Sequence, residues 1–320
     1  MRPYFVVELT PRCNNDCTYC YNVWKQCDYP TGELSGPDFV DLLDRLVEET
    51  EPEGITLSGG EPLLHPDVCD IASFLARRNI RTGIATNGIL LDETMTRKLV
   101  DSGVGYFEIS LVSTDDGSYG RLTRDDRLGE VRRAILNVKK LRARLTVSFV
   151  ATRLNMSDVE DVIELCFAFS VDAIALNRFV PGGRGLEHRS SLQLTDEELR
   201  TVLRRADGKS REHGIPVNVT IPVEPCIIDH EQYPGLNFGT CVCGTGKWVV
   251  DPVGNLRTCE QNPEILGSLL DSGFGELSAL EGADAFRRDH LKPECNGCDL
   301  LHSCGGGCRF TRNTPSPRKE

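Results

Sequence analysis

Three cysteines stand close together near the start of the chain, at Cys13, Cys17 and Cys20. Their spacing, C-x3-C-x2-C, allows one short loop to present three thiolates to a common point. A 4Fe-4S cluster usually takes four cysteine thiolates, so three thiolates would leave one iron open to a small molecule. The alternatives are a zinc site that lacks its fourth ligand locally and three incidental cysteines.

Eight more cysteines are concentrated in the last 95 residues. Four of them follow the spacing C-x2-C-x5-C-x3-C between residues 295 and 308, for which a zinc knuckle is the alternative to a cluster. We interpret the scattered Cys27, Cys69 and Cys166 as core or incidental residues, because a free cysteine packs as a small hydrophobe. The concentrated eight are Cys226, Cys241, Cys243, Cys259, Cys295, Cys298, Cys304 and Cys308.

The composition limits the classes of partner and the compartment. The chain has 320 residues and a net charge of −12, which argues against broad nucleic-acid binding because that needs a dense Lys/Arg surface. No apolar run approaches the roughly 20 residues that span a bilayer, and the N-terminus has too short an apolar run for a secretory signal. We therefore expect a cytosolic protein without a membrane segment, whose reduced thiols favour metal or cluster ligation over disulfides.

The first 185 residues alternate strand-like and helix-like patterns. Repeated strand–helix units predict parallel strands with helices packed outside, and six such units predict an α/β fold of the partial (β/α)6 TIM-like barrel type. The predicted strands are 4–9, 54–60, 81–88, 106–112, 144–152 and 171–180, and the predicted helices between them are 36–49, 67–78, 92–103, 130–143 and 158–169.

In the rest of the chain, the sequence pattern predicts a helix at 195–214, an extended segment at 215–226 and a hairpin at 247–259. Together these patterns divide the chain into three parts. They are a barrel core at 1–190, a connecting helix and strand at 191–225, and a small cysteine-rich extension at 226–320.

The distinctive motifs follow the predicted strands. In folds of parallel strands and helices, functional residues lie at the carboxyl ends of the strands. The cysteine loop follows strand one, "SGGEP" (58–62) follows strand two, "TNG" (86–88) follows strand three, "SLVSTDDG" (110–117) follows strand four and "PGGRG" (181–185) follows strand six. The sequence therefore predicts that all these motifs meet on one rim of the barrel.

The cysteine loop and the "SGGEP" segment together resemble the signature of a known family. The three cysteines of the first loop, with Tyr19 before the last of them and "GGEP" after strand two, resemble the signature of the radical S-adenosylmethionine (SAM) superfamily over roughly residues 4–185. The resemblance implies that the amino and carboxylate groups of SAM chelate the open iron. One electron from the reduced cluster then cleaves SAM into methionine and a 5′-deoxyadenosyl radical, which abstracts a hydrogen atom from the substrate.

The resemblance also implies a set of SAM contacts. Gly59 and Gly60 would let backbone approach the methionine part, and Glu61 would accept from its ammonium group. Relatives pair an arginine with the SAM carboxylate, which Arg124 or Arg121 could supply. Relatives read S-L-D-G where this chain reads "SLVSTDDG", which leaves one contact there open. The implied residues are Tyr19, Gly59, Gly60, Glu61, Pro62, Thr86, Asn87, Ser110, Arg121, Arg124, Asn155, Phe179 and Val180.

The second cysteine group resembles the SPASM extension, which binds auxiliary 4Fe-4S clusters, over about residues 241–308. The resemblance implies that one auxiliary cluster takes Cys241, Cys243, Cys259 and Cys308. The family pattern then ends with one more cysteine, but no cysteine follows Cys308 in this chain. The remaining ligands of the second cluster, Cys295, Cys298 and Cys304, therefore lack their usual partner.

Cys226 could complete that second set, since eight cysteines make two sets of four. Alternatively the second cluster has an open iron or a non-cysteine ligand, or it is absent. A further option is that Cys226 or Cys243 is a catalytic hydrogen donor, because a thiol S–H bond is weak enough to quench a carbon radical.

Two enzymatic readings follow from the resemblance. In the first, the enzyme oxidises, crosslinks or epimerises a peptide, as maturases of ribosomal peptide natural products do. In the second, it dehydrogenates or epimerises a small molecule such as an aminosugar or aminocyclitol in antibiotic biosynthesis. A non-catalytic iron–sulfur carrier is a third reading, against which "GGEP" and the three-cysteine loop both argue. The chain shows no flavin or nicotinamide fingerprint, so we expect an external reductant such as ferredoxin or flavodoxin.

Overall fold

The computed structural model describes residues 2–25, 29–30, 32–288, 291 and 293–311. Cys27 lies outside the described residues. The strands are β1 (Tyr4–Glu8), β2 (Gly54–Ser58), β3 (Thr82–Thr86), β4 (Val104–Ser110), β5 (Arg144–Ala151), β6 (Ala173–Arg178), β7 (Val217–Val219), β8 (Leu236–Phe238), β9 (Lys247–Val250), β10 (Asn255–Arg257) and β11 (Gly267–Ser268). The helices are α1 (Gly36–Thr50), α2 (Val68–Arg77), α3 (Glu93–Asp101), α4 (Asp116–Thr123), α5 (Leu128–Lys140), α6 (Val159–Ala168), α7 (Arg189–Leu192), α8 (Asp196–His213), α9 (Phe274–Ser278), α10 (Glu281–Arg288) and α11 (Leu301–Cys304).

The strands form one sheet in the order β11-β10-β9-β1-β2-β3-β4-β5-β6-β7-β8. Strands β1 to β6 are parallel neighbours in sequence order, joined by helices. This confirms the predicted fold class. The sheet is larger than predicted, because β7 and β8 continue it in parallel beyond β6 and β9 adds in parallel beside β1. It therefore runs through all three predicted parts of the chain, and the predicted domain limits stay a prediction.

The two faces of the sheet differ in polarity because side chains alternate along a strand. Phe5, Phe107 and Phe149 are fully buried on the face that packs against the helices. Helix α1 contributes a matching apolar stripe, which includes Phe39 and Leu43. The opposite, inner face carries polar residues at alternate positions, among them Tyr4, Glu8, Thr56, Tyr106, Glu108, Ser148 and Asn177.

The predicted hairpin at 247–259 is confirmed, because β9 and β10 pair antiparallel. The Asp251 carboxylate closes the turn by accepting from the backbone N–H groups of Val253 and Asn255, at 3.0 and 2.8 Å. Beyond the turn, Arg257 is fully buried and donates both to the Glu8 carboxylate on β1 and to the Asn262 carbonyl. A buried guanidinium needs such partners, so this pair fixes the tail against the first strand.

The state of the cysteines and the lengths of the helices can be read from the described part of the chain. All thirteen described cysteines are free thiols. Among the described helices, none has both the length and the apolar character needed to cross a membrane.

Candidate active site

The loop of Cys13, Cys17 and Cys20 leaves the carboxyl end of β1 and is tied to its surroundings by hydrogen bonds. The Thr18 backbone N–H and hydroxyl both donate to the Leu122 carbonyl of α4, at 2.8 and 3.0 Å. Among the described residues, the three sulfurs are not a group whose atoms all lie within 4.8 Å of one another. Sulfurs bound to a single zinc at about 2.3 Å would lie about 3.8 Å apart, so the spread fits a multi-iron cluster better than one zinc ion.

The three cysteines of the loop are half-buried. Burial raises the pKa of Cys13 to about 11 and that of Cys17 to about 12, and it also raises the pKa of Cys20. The Tyr19 side chain forms a hydrogen bond with Cys17, so the structure places this predicted SAM contact beside a cysteine ligand. Buried thiols become thiolates only when a positive charge offsets the cost, and cluster iron supplies such a charge.

The "GGEP" segment packs directly on the backbone that leads into the cysteine loop. Gly60 N–H donates to the Thr10 carbonyl and Glu61 N–H donates to the Arg12 carbonyl, both at 2.8 Å. A Cβ atom on Gly59 would lie 2.6 Å from the Thr10 oxygen, and one on Gly60 would lie 2.2 Å from the Arg12 oxygen. Gly59 also has φ +134°, which side chains rarely allow. These contacts give the glycines a role the sequence did not predict, namely close contact with the loop backbone.

Glu61 is fully buried, and its carboxylate accepts hydrogen bonds from neighbouring residues. One carboxylate oxygen accepts from the Thr86 hydroxyl at 2.7 Å and from the Leu63 N–H at 3.2 Å, and the other accepts from the Asn87 N–H at 2.8 Å. Burial raises the pKa of Glu61 to about 7 in spite of these donors. The carboxylate thus joins the ends of β2 and β3, and its predicted contact with the SAM ammonium would come in addition to three bonds.

Pro62, Thr86 and Asn87 extend the same network. Pro62 opens a short 3-10 helix, Pro62–Leu64, that Glu61 caps. Asn87 donates from its side chain to the Asn14 side chain at 2.7 Å, which links the end of β3 to the cysteine loop. The structure therefore brings three predicted motifs together at one rim: the cysteine loop, "GGEP" and "TNG".

The segment after β4 contains a helix that the sequence analysis missed. Ser110 ends β4 on the inner face, half-buried, opposite Ser148 of β5. Six residues later α4 begins, and Asp115 caps it by accepting from the Ser118 N–H at 2.8 Å. Asp115 at the N-cap position was the sequence signal for this helix. The helix was not predicted because the apolar periodicity of "DGSYGRLT" is weak.

The two candidate arginines lie in and just after α4. Arg124 is the left-handed residue that ends α4, and its side chain lies 3.0 Å from the Asp16 carboxylate in the cysteine loop. Arg121 donates to the Ser118 hydroxyl instead. A third arginine, Arg127, donates to the Asn14 carbonyl at 3.1 Å. The sequence could not distinguish these arginines, because all three fall within seven positions.

Asn155 has a different role from the predicted SAM contact. It is fully buried, and its side-chain oxygen accepts from both the N–H and the hydroxyl of Thr152. Its amide nitrogen donates to the carbonyls of Val112 and Val150, at 2.7 and 3.0 Å. The whole hydrogen-bonding capacity of the amide is used to hold the turn after β5, which leaves none for a ligand.

Phe179 and Val180 lie directly after β6, as predicted, and both are buried. Phe179 packs so closely on Gly185 that a Cβ atom there would lie 2.9 Å from the ring. The backbone of Gly185 in turn donates to the Cys20 carbonyl at 3.0 Å, so "PGGRG" also borders the cysteine loop.

In the tail, Cys241, Cys243, Cys259 and Cys308 approach one another. The Cys243 thiol forms hydrogen bonds with Cys241 and Cys259, and Cys308 is close enough to Cys241 for their charges to interact. The sulfurs of Cys243 and Cys259 and the Glu260 carboxylate lie within 4.8 Å of one another. Glu260 is a possible oxygen ligand that the sequence analysis missed, although it directly follows Cys259.

The other four tail cysteines line one cavity. Its walls include Cys226, Cys295, Cys298 and Cys304. Cys226 arrives from a distant segment that follows the buried Glu224, whose carboxylate is paired with Arg178 of β6 at 2.9 Å. The structure thus places beside the incomplete set the cysteine that the sequence analysis named as one option.

The chain is similar to known proteins along nearly its whole length. An AdoMet-dependent heme synthase of Methanosarcina barkeri is 28% identical, covering 94% of this chain and 89% of that protein. A PqqA peptide cyclase of Gluconobacter oxydans is 24% identical, covering 95% of this chain and 84% of that protein. The crystal structure of Streptococcus suis SuiB bound to SAM has the same fold, with a TM-score of 0.75 and 16% identity over 98% of this chain and 75% of SuiB.

The sequence model of the radical SAM superfamily matches residues 7–166. The match covers half of the chain, from within β1 to within α6. The matched region contains the cysteine loop, "GGEP", "TNG" and α4, the motifs that the structure joins by hydrogen bonds at one rim. This chain therefore belongs to the radical SAM superfamily.

Proposed function

We propose that this enzyme cleaves SAM at the loop of Cys13, Cys17 and Cys20 and uses the resulting radical to modify a peptide. The observation that carries the proposal is the loop itself: three half-buried thiols on one short segment, with "GGEP" hydrogen-bonded to the backbone before them. When bound there, a reduced 4Fe-4S cluster supplies the electron that breaks the C5′–S bond of SAM and yields methionine and a 5′-deoxyadenosyl radical.

The residues of the rim would bind and orient SAM. Ser110 and Asn87 offer a hydroxyl and an amide group at the ends of β4 and β3, and Thr86 holds the Glu61 carboxylate in place by donating to it. Arg124 would pair with the SAM carboxylate once it leaves Asp16, and Arg121 is the other candidate. Tyr19, Gly59, Gly60, Glu61 and Pro62 shape the loop side of this site, and the buried Phe179 and Val180 form an apolar border for the adenine.

In the tail we propose two auxiliary clusters with complete cysteine sets. One takes Cys241, Cys243, Cys259 and Cys308, and the other takes Cys226, Cys295, Cys298 and Cys304. The support for the second set is the single cavity that its members line. As each of Cys226 and Cys243 lies among other cysteines, we favour ligand roles for both over the hydrogen-donor role.

Relatives support a peptide substrate. The PqqA peptide cyclase acts on a peptide by its name, and SuiB has been solved with the precursor peptide SuiA. We therefore propose oxidation, crosslinking or epimerisation of a peptide, with the auxiliary clusters accepting or relaying the electron. A small-molecule substrate is the second candidate, because the heme synthase relative makes a porphyrin rather than a peptide product.

We propose a ferredoxin or flavodoxin as the electron donor and the cytosol as the compartment. The reason for both is chemical: so many cysteine ligands need reduced thiols, which the cytosol maintains.

The proposal is tested by anaerobic reconstitution with iron and sulfide, followed by addition of SAM and dithionite. We expect release of 5′-deoxyadenosine by the wild type, loss of that release in Cys17→Ala, and full release in the control Cys69→Ala, which changes a half-buried cysteine of α2. Release by Cys17→Ala at the wild-type rate, or no release by the fully reconstituted wild type, would overturn the proposal.

A further inference from the structure

The inner face of the sheet carries an isolated carboxylate on β4. Phe107 and Ile109 of this strand are fully buried against the helices, so Tyr106, Glu108 and Ser110 point to the inner face. Burial raises the pKa of Glu108, although the side chain remains partly reached by solvent. Glu108 is therefore a half-buried carboxylate on the inner face that solvent still reaches.

The neighbouring charges of the inner face are already paired. Glu8 is paired with the fully buried Arg257, and Glu260 with Lys247 at 2.9 Å. Within the described residues, no lysine or arginine nitrogen lies within 4.0 Å of the Glu108 carboxylate. Lys247 is near enough to act on Glu108 through its charge, but its own partner is Glu260.

Glu108 accepts hydrogen bonds from neutral groups only. The Tyr106 hydroxyl donates to it at 3.2 Å, and the Ser148 hydroxyl on β5 is near enough to lower its pKa. The ionised carboxylate therefore has no ion-pair partner of its own, which is costly for a half-buried group. A cation from outside would remove that cost.

Three tyrosines lie near this carboxylate: Tyr106 donates to it, and Tyr4 and Tyr21 are close enough for its charge to act on them. Burial is the main cause that raises the pKa values of Tyr4, Tyr21 and Tyr106, and the charge of Glu108 adds to the shift in each. Tyr21 is 37% exposed and directly follows Cys20, and Glu8, Lys247 and Glu108 on the inner face are near enough to act on it through their charges.

We propose that Glu108, with Tyr4, Tyr21 and Tyr106, binds a cationic group of the substrate, an ammonium such as that of a lysine side chain. A carboxylate pairs with the charge, and aromatic faces attract the same cation. The proposed cation site rests on the proposed function only in that the bound group belongs to the substrate of the radical reaction. It determines which substrates bind, not which bond is changed.

The position of Glu108 suits a reaction at the rim. It lies two residues before Ser110, which corresponds to about 6.6 Å along the strand. That is about the length of an extended lysine side chain. A lysine held by its ammonium at Glu108 would therefore present its backbone carbons at the height of the cysteine loop, where the radical forms.

The test measures direct binding to the reconstituted holoenzyme, without turnover. The probes are Nα-acetyl-lysine methylamide, its uncharged analogue Nα-acetyl-norleucine methylamide, and glucosamine, each titrated calorimetrically. We expect the wild type to bind the lysine probe about tenfold more tightly than the norleucine probe, the gain typical of a charged hydrogen bond. Glu108→Gln should lose this preference, Glu108→Asp should keep part of it, and the exposed control Glu187→Gln should keep all of it.

Each outcome decides the inference. Equal affinity for the two amino-acid probes in the wild type, no binding of any cationic probe, or an unchanged preference in Glu108→Gln would overturn it. Tighter binding of glucosamine that depends on Glu108 would support the cation site and assign it to an aminosugar. Because the measurement needs no SAM cleavage, failure of 5′-deoxyadenosine release would count against the proposed function alone.

Discussion

The loop of Cys13, Cys17 and Cys20 and the cysteines of the tail reach their positions by different routes. The loop supplies three thiols from one segment of eight residues, held by backbone hydrogen bonds to "GGEP" and α4. The tail draws each set of four from separate segments: Cys226 precedes Cys295 by 69 residues, and Cys241 precedes Cys308 by 67 residues. The first site is thus determined by local spacing and the second by tertiary structure.

This difference predicts different sensitivities. A locally encoded loop depends on close backbone contacts and tolerates no bulk at those contacts. A site assembled from distant segments depends on the elements that carry each segment, so losing one ligand or one brace should damage one site and spare the other.

The largest expected effect is on the loop. Gly60→Ala places a Cβ atom 2.2 Å from the Arg12 carbonyl oxygen, so "GGEP" must move away from the cysteine loop. We expect release of 5′-deoxyadenosine to fall about a hundredfold or more, since a shift of an ångström at a reacting site has that effect. Gly208→Ala is the matched control, because a Cβ atom there meets nothing within 4 Å. Comparable activity of the two variants would contradict the close-contact argument.

The next effect concerns the tail. Cys226→Ala should lower the iron and sulfide content of the reconstituted protein, or convert one cluster to a form with an open iron, which electron paramagnetic resonance would detect. SAM cleavage should persist, because the loop site is separate. Cys69→Ala, which alters a cysteine of α2 outside either group, should change neither the iron content nor the spectrum. If Cys226→Ala has the same iron content and spectrum as the wild type, Cys226 is not a cluster ligand.

A third change tests the link between the two regions. Arg257→Met leaves the Glu8 carboxylate buried without its partner, and breaking a buried pair typically costs about 3–5 kcal/mol. We expect that loss in the free energy of unfolding, measured anaerobically by denaturant. Arg2→Met removes an exposed pair with Glu51 and should cost about 0–1 kcal/mol. Equal losses in the two variants would show that the buried pair does not brace the tail.

The smallest effect is on the pH dependence of probe binding. Burial raises the pKa of Glu108 above its usual value, so lowering the pH protonates it and removes its attraction for a cation. As the pH is lowered from neutral towards the acid limit of the folded protein, the affinity for the lysine probe should fall severalfold, whereas the lysine ammonium itself stays charged. Affinity for the norleucine probe should not change over that range, and a parallel fall for both probes would point to a general effect on the fold.

Much of the barrel could be predicted from the sequence, because its signals are local. The period of apolar residues gave the strands and helices from β1 to β6, and the cysteine spacing gave the loop site. Helix α4 was missed because glycines and polar residues weaken its apolar stripe. The pairing of β9 with β1 had no local signal, since it joins residues separated by most of the chain.

Individual site residues were harder to predict, because their roles depend on what packs beside them. Asn155 follows a strand, as a ligand would, but its partners Val112 and Val150 make it a structural amide. Glu61 was predicted to face SAM, and the structure shows both of its oxygens engaged with the ends of neighbouring strands. Whether an amide or carboxylate has spare hydrogen-bonding capacity is a tertiary property.

The placement of β9 beside β1 bears on how the protein is made. During synthesis, the edge of β1 that will receive Lys247–Val250 stays uncovered until the chain has grown past the rest of the barrel. An open apolar strand edge invites pairing with other chains. The edge of β1 therefore remains exposed to such pairing until late in translation, and versions shortened before residue 247 should accumulate as insoluble material.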